Sequence, residues 1–526
     1  MRFRYPALFA LCLCLAVNAA GQGTVRDHQF VWETSPYLML SNPAAVSFWD
    51  GKLSMAELSF EKHNGGLYGL DQSPDSWELT AGTESYCRIS DLIAFHGKLS
   101  WADFQGKDMG GPILMNPSYN PVGFYENTLE TIGTKKRELY TMGGQIALSP
   151  WERWSFGAGV SYQAGDQTKV KDPRFSNVWM DLDVNAGLTW KTADWLTLGA
   201  SLRWRNTQEM IKGGIYGTTD KQYFISTDKG GFFGSTAELA GDYNYVPDSS
   251  PRPMINDWYE AALQFVIGQV FSSELSFAKR EGYYGSKSST TATFFEFGGI
   301  KAAYEGLVLI PSGSNLQRIA MSFSYETLGN NENAFRYDTP EGGNTVVVYT
   351  GQNHISDRTV MDVALDWRWY GGIEDGRPAF MLGVRGGWNS LVQSTIIYPF
   401  WRKNSAMQAN AELFGRKSFI SGRNIFSIDA SALYAFGYGT KSRDGAYVQT
   451  TSKTLHSFDT YLDRHFEFVT APRAGASLAF TYTLCASEKV APYVKLSDTF
   501  TTLLAAPEFL DGGTRNVALI TLGCTF

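Results

Sequence analysis

The sequence predicts an all-β fold: a transmembrane, antiparallel up-and-down β-barrel of about 18 strands (14 to 18), with short turns at one end and long loops at the other. Three observations carry this. Apolar and polar residues alternate with a strict period of two over segments of roughly 10 to 13 residues, repeated many times with turn residues between them. Beyond the N-terminus no stretch of about 18 apolar residues exists, so no hydrophobic helix is available to cross a bilayer. The composition, 14% aromatic and 18% charged with 53 glycines in 526 residues, suits long strands with small residues facing a lumen and aromatic residues at the membrane interfaces. Only helices and edge-free barrels satisfy every backbone polar group in hydrocarbon, which leaves a barrel or a soluble secreted β protein. Strands with glycine and serine along their inward face would fill a soluble core poorly.

Taken in order, the chain opens with Arg2 and Arg4 ahead of an apolar run from Ala7 to Val17, followed by the small residues Ala19, Ala20 and Gly21. This is the pattern of an export signal over residues 1–20, cut near Val17-Asn18-Ala19. Cys12 and Cys14 each follow a leucine, where lipid attachment wants a small residue. Residues 21–51 read as an N-terminal periplasmic or lumenal segment, and 52–526 as the barrel.

The hairpins are explicit. Tyr140, Met142, Ile146 and Leu148 share one face against Thr141, Gly143 and Gln145; after Ser149-Pro150, Trp154, Phe156, Ala158, Val160 and Tyr162 share a face against Ser155, Gly157, Gly159 and Ser161. A second hairpin places Leu182, Val184, Ala186, Leu188 and Trp190 outward, then Leu196, Leu198, Ala200, Leu202 and Trp204. A third sets Met361, Val363, Leu365, Trp367 and Trp369 outward and returns through Phe380, Leu382, Val384 and Trp388. Connections near 105–137, 206–255, 329–357 and 438–470 read as long and polar, and those near 149–153, 191–195, 371–377 and 486–489 as short. Bacterial barrels keep short turns in the periplasm and long loops outside, which assigns sidedness. Trp151, Trp154, Trp190, Trp195, Trp367 and Trp369 all lie beside short turns, as a periplasmic aromatic girdle requires.

Several chemistries are weak or absent. A net charge of −7 argues against a nucleic-acid partner. The three cysteines after the signal, Cys87, Cys485 and Cys524, are odd in number and lack metal-ligand spacing, so neither a disulfide framework nor a metal site is expected. His456 and His465, near Asp459 and Asp463, also lack a recognised spacing. No cofactor and no catalytic residue are assigned. The alternation does place charge inside: His96, Lys98, Asp181, Asp183, Arg203, Arg205, Asp362, Asp366, Arg368 and Arg385 fall on inferred lumen faces, with Glu78 and Glu84. Such charge either forms ion pairs that brace a filled lumen or lines a permeation path; with both signs present, no simple ion preference follows.

Two segments carry resemblances. Val517 to Phe526 alternates and ends on the aromatic Phe526, and resembles the terminal assembly signal of outer-membrane proteins, which implies the barrel assembly machinery and outer-membrane lipid as partners. Ser41-Asn42-Pro43-Ala44-Ala45-Val46 resembles the Asn-Pro-Ala segment of long-chain fatty-acid transporter barrels, which implies that Asn42, Pro43 and Ala44 belong to a small hatch in the lumen. Over its whole length the chain looks like the uncharacterised single-barrel outer-membrane proteins of Bacteroidota, which that likeness places beside TonB-dependent uptake systems. The expectation is a barrel of the Gram-negative outer membrane for passive or partner-assisted passage of a small nutrient, hydrophobic if the Asn-Pro-Ala resemblance holds. The alternative is a non-conducting structural subunit associated with a TonB-dependent receptor or surface lipoprotein; a barrel enzyme is a third, weaker reading.

Overall fold

The computed structural model describes residues 27–218, 220–239, 245–248, 251–449, 457–487 and 490–526; the export signal lies outside the described residues. The strands are β1 (Lys52–Asn64), β2 (Asp75–Arg88), β3 (Ile93–Met109), β4 (Gly123–Glu126), β5 (Gly133–Trp151), β6 (Trp154–Lys169), β7 (Arg174–Ala193), β8 (Leu196–Gly214), β9 (Phe224–Asp228), β10 (Gly234–Glu238), β11 (Arg252–Ile267), β12 (Phe271–Gly285), β13 (Thr293–Ser312), β14 (Asn315–Asp338), β15 (Val346–Glu374), β16 (Arg377–Ile397), β17 (Phe400–Ser421), β18 (Asn424–Ala446), β19 (Arg473–Leu484), β20 (Ala491–Leu503) and β21 (Thr514–Thr525). Two helices are α1 (His28–Glu33) and α2 (Asp459–Thr470). No helix among the described residues is long and apolar enough to cross a membrane.

Eighteen of these strands form one closed antiparallel sheet, and β4, β9 and β10 form a separate three-stranded one. Closure comes from β1 and β21, whose register runs from Met55 opposite Thr525 to Asn64 opposite Asn516. Ser54 and Phe526 extend it by exchanging both backbone hydrogen bonds at 2.9 Å. A cylinder without edges leaves no unpaired ladder in lipid. Its outer face exposes Met142, Val160, Leu202, Leu263, Phe277, Leu478 and Leu522. That continuous apolar surface has no place in water and matches a bilayer. At the short-turn end Trp154 and Trp190 stack across β6 and β7 with ring centroids 5.3 Å apart, and Trp151 and Trp195 stand exposed.

The structure corrects the expected loop boundaries. β3 runs to Met109, β8 to Gly214, β14 to Asp338 and β18 to Ala446, and β15 starts at Val346, so the supposed loop 329–357 is mostly a projecting hairpin. Above the membrane both faces of a strand meet polar surroundings, and the alternation that marks a strand in lipid disappears. The wall is uneven in height: β15 has 29 residues and β19 has 12.

The β3–β5, β8–β11 and β18–β19 connections turn into the barrel rather than away from it. The β4–β9–β10 sheet joins the β3–β5 and β8–β11 connections, and its Phe124 and Ile225 are buried with Ile113, Leu114 and Val122 against Tyr284, Phe295 and Ile355 of the wall. Tyr461 and Leu462 of α2 pack on Tyr125 and Phe232. Together these elements cap the long-loop mouth around an apolar core.

Candidate functional site

Residues 27–49 cross the lumen at the short-turn end as a strap anchored at both sides. On one side Asp27 caps α1, its Oδ1 accepting the Phe30 N–H at 3.0 Å, and pairs with Arg416 at 3.7 Å. Glu33 accepts from Arg368 and from the Tyr370 hydroxyl at 2.8 Å, and its carbonyl accepts from Arg318 Nε at 2.9 Å. Midway, the Ser41 N–H donates to Glu274 at 2.9 Å.

Across the lumen, Asn42 Nδ2 donates to Leu188 O at 2.9 Å, Ala200 O at 3.2 Å and Gln264 Oε1 at 3.0 Å, while its Oδ1 accepts the Ala44 N–H at 2.9 Å and so caps the turn Pro43–Phe48. A seat of glycines receives it. A Cβ on Gly187 would lie 2.1 Å from Asn42 Oδ1, and one on Gly157 2.2 Å from Ala44 N. Pro43 and Ala44 are buried. Two cavities border the strap: one of 290 Å³ lined by Met39, Leu40, Glu305, Ser322, Asp366 and Arg385, and one of 210 Å³ lined by His28, Glu57, Arg416 and Lys495.

The side chains expected in the lumen all face it, and most are paired. Arg203 pairs with Asp183, and Arg205 with Asp181 at 2.6 Å. Asp366 collects Arg318 at 3.0 Å, Arg368 at 2.7 Å and Arg385 at 3.1 Å. His96 contacts Glu84 at 2.8 Å and stacks on Tyr86. Asp362 accepts weakly from Ser324 at 3.3 Å, and Lys98 is exposed to the lumen. The structure thus joins Asp366, Arg368 and Arg385 into one network that also holds the strap, while the Asp181–Arg205 and Asp183–Arg203 pairs stand apart on β7 and β8.

Sequence reasoning missed the clamp on the β3–β5 connection. Arg280, with a side chain 1% exposed, donates to Tyr119 O at 2.8 Å, Asn256 Oδ1 at 2.8 Å and Glu326 at 2.9 Å. Arg358 donates to Ser118 O at 2.8 Å and Asn120 O at 3.2 Å. The one available signal was apolar residues, Ile113, Leu114, Val122 and Phe124, inside a connection read as polar. Higher in the cap, burial pushes the Asp228 carboxyl up to about 6, although the Gly230 and Phe233 N–H groups donate to it.

Of the His456, Asp459, Asp463 and His465 constellation, His456 lies outside the described residues. Asp463 pairs with Lys441 at 2.5 Å, and His465 packs against the Phe232 ring. Among the described residues no group of three potential ligands could hold a metal ion. Cys87, Cys485 and Cys524 are free thiols.

Residues 43–526 match the model of a family of unknown function, DUF6850. The chain belongs to that family. No curated protein matches it. Among solved structures it is similar to BauA, the ferric preacinetobactin receptor from Acinetobacter baumannii, at 8% identity over 91% of this chain and 80% of that one, with a TM-score of 0.38. It is also similar to the ferric-catecholate import receptor Fiu from E. coli K12, at 8% identity over 90% and 82% with a TM-score of 0.38. At that distance these likenesses carry no functional assignment.

Proposed function

We propose that this DUF6850 protein is a gated transport barrel of the Gram-negative outer membrane, closed at rest, that passes a small polar nutrient when the N-terminal strap shifts. The observation that carries the reading is the strap. A structural cylinder gains nothing from a segment that spans its lumen, is held on one side by the Asp27–Arg416 and Glu33–Arg368 ion pairs, and is bordered by cavities. A charged lumen wall favours polar cargo, because a hydrophobic solute would strip water from Arg203, Asp183, Asp366 and Arg385 without replacing it. The Asn42-Pro43-Ala44 resemblance to fatty-acid transporters therefore supports a hatch more than a fatty cargo. No catalytic step belongs to this reading.

The pairing of lumen charges favours a second reading, a non-conducting subunit that stands beside a TonB-dependent receptor or a surface lipoprotein. Planar-bilayer recording separates the two. Refolded protein, shown to be a barrel by heat-modifiable gel mobility, is compared with Glu33→Gln and Asn42→Ala. Rare small openings in the wild type and long, larger ones in the variants are expected. A folded strap variant that stays silent favours the structural subunit.

A further inference from the structure

We infer that a third cavity, in the long-loop half of the lumen, is a binding site for a zwitterion of amino-acid or dipeptide size; this rests on the reading of the protein as a transport barrel and names its substrate class. The cavity measures 250 Å³ and lies between the β1–β2 connection at Gln72 and Ser73 and the inward-folded segment from Pro112 to Asn116. It holds the volume of roughly eight waters, which suits a ligand of amino-acid or dipeptide size.

Its charges are segregated by the strand register. Glu61 on β1 stands opposite Glu78 on β2, Glu78 opposite Phe104 on β3, and Phe104 opposite Arg137 on β5. Lys135 lies two residues along β5 on the same inward face. Neighbouring strands are about 4.8 Å apart, so the backbones bearing the carboxylate pair and the cation pair stand about 10 Å apart. Between them lies the ring of Phe104, with the Arg137 guanidinium 4.9 Å above it.

The cations are incompletely answered. Arg137 reaches Glu78 only at 3.5 Å, and its buried Nε has no hydrogen-bond partner. Lys135 is 4% exposed, yet among the described residues its ammonium donates to a carbonyl, Pro112 O at 2.5 Å, and to no carboxylate. Arg515, which closes the side of the cavity, spends its donors on Leu67 O and Ser73 O at 3.5 and 3.4 Å and on His63 Nδ1 at 3.0 Å. A buried cation wants an anion. Yet Glu61, Glu78 and Asp71 balance Lys135, Arg137 and Arg515 around the rim, so a plain anion would upset the total. A zwitterion does not: its carboxylate meets Lys135 and Arg137, and its ammonium meets Glu78, with Glu61, already joined to His63, beside it. A neutral polyol would leave Lys135 unanswered.

Isothermal titration of the refolded full chain with dialanine tests this. Saturable one-to-one binding is expected, with none for glucose or for N-acetylalanine methylamide, which has the same backbone without the charges. Glu78→Gln and Arg137→Gln are each expected to weaken binding at least about tenfold; both side chains are partly exposed, and heat-modifiable mobility shows whether the variants fold. Lack of dialanine binding by a folded wild-type barrel, equal binding of glucose, or unchanged affinity in both folded variants overturns the assignment. A chain that fails to bind dialanine but conducts once its strap is weakened keeps its transport reading and loses this one. A barrel that binds dialanine but stays silent in every strap variant does the reverse.

Discussion

A single methyl group tests the seat of the strap. Alanine at 187 would place its Cβ 2.1 Å from Asn42 Oδ1, with the backbone oxygen of Ala200 at 3.1 Å behind it, so the flexible side to give way is Asn42. Gly187→Ala then costs Asn42 its three donated hydrogen bonds, each worth about 1 kcal/mol net. Amide exchange over residues 41–49 is expected to accelerate by about tenfold to a hundredfold, while the barrel keeps its heat-modifiable mobility. Unchanged exchange there would mean that Asn42 does not depend on this seat. A second residue-scale effect lies in the cap. Burial lowers the pKa of His465, against the opposing pull of Asp71, so the folded cap binds fewer protons than the unfolded chain once pH falls below 6.5. His465 therefore contributes stability that is present above that value and lost as pH falls through it, at most about 0.8 kcal/mol by pH 6. Asp228 acts with the opposite sign: raised to about 6, it favours the folded cap increasingly as pH falls from there toward its ordinary 3.8. Protection factors in residues 459–470, which are corrected for the pH dependence of intrinsic exchange, should thus fall between pH 7.5 and 6, and His465→Gln should remove that fall.

Elements differ in how far local pattern determines them. The strands were legible because lipid on one side and water on the other force a period of two, and that same parity places Arg203, Asp366 and Arg385 inside without any long-range knowledge. The cap was not legible. Its β4–β9–β10 sheet joins residues about a hundred positions apart, and its contacts with Tyr284 and Phe295 depend on where the loops fold. The strap lay between: Asn42-Pro43-Ala44 stood out as a motif, but Gly157 and Gly187 looked like any small inward residues. The cap as an element hangs on Arg280. Arg280→Met would leave Glu326 without its cation and Asn256 Oδ1 without its donor, and would leave the Tyr119 carbonyl only the longer bond from Arg358 at 3.2 Å, a loss of about 3–5 kcal/mol. That loosens the 110–132 connection around Tyr119, although Arg358 and the buried Ile113, Leu114, Val122 and Phe124 still hold its ends. Chymotrypsin should therefore cut at Tyr119, Phe124 or Tyr125 in the folded variant and not in the wild type, whereas Lys279→Ala, on the outer face of the same strand with a side chain 64% exposed, should leave the connection protected.

At the scale of the whole molecule, the cylinder and its two closures are separate structures. The wall is complete without either end, since β1 pairs with β21 along its length, and residues 27–49 contribute no strand to it. Freeing the strap should consequently open the lumen without unfolding the barrel. What then passes depends on the wall. Facing the lumen are Arg203, Arg205, Arg318, Arg368, Arg385 and Arg416, set against Asp181, Asp183, Asp366, Glu260, Glu412 and Asp429, with most of the cations paired at less than 4 Å. Paired charges cancel each other's field beyond a few ångströms, so neither sign of ion is repelled along the path. A strap-released barrel in a potassium chloride gradient is expected to give a reversal potential close to zero, with cation and anion permeabilities within about twofold of each other. Strong selectivity for one sign would show that freeing the strap also unbalances the Asp366 network: loss of Glu33 would leave Arg318, Arg368 and Arg385 gathered on the Asp366 carboxylate, and the open state would then carry an arginine-lined constriction that the closed state conceals.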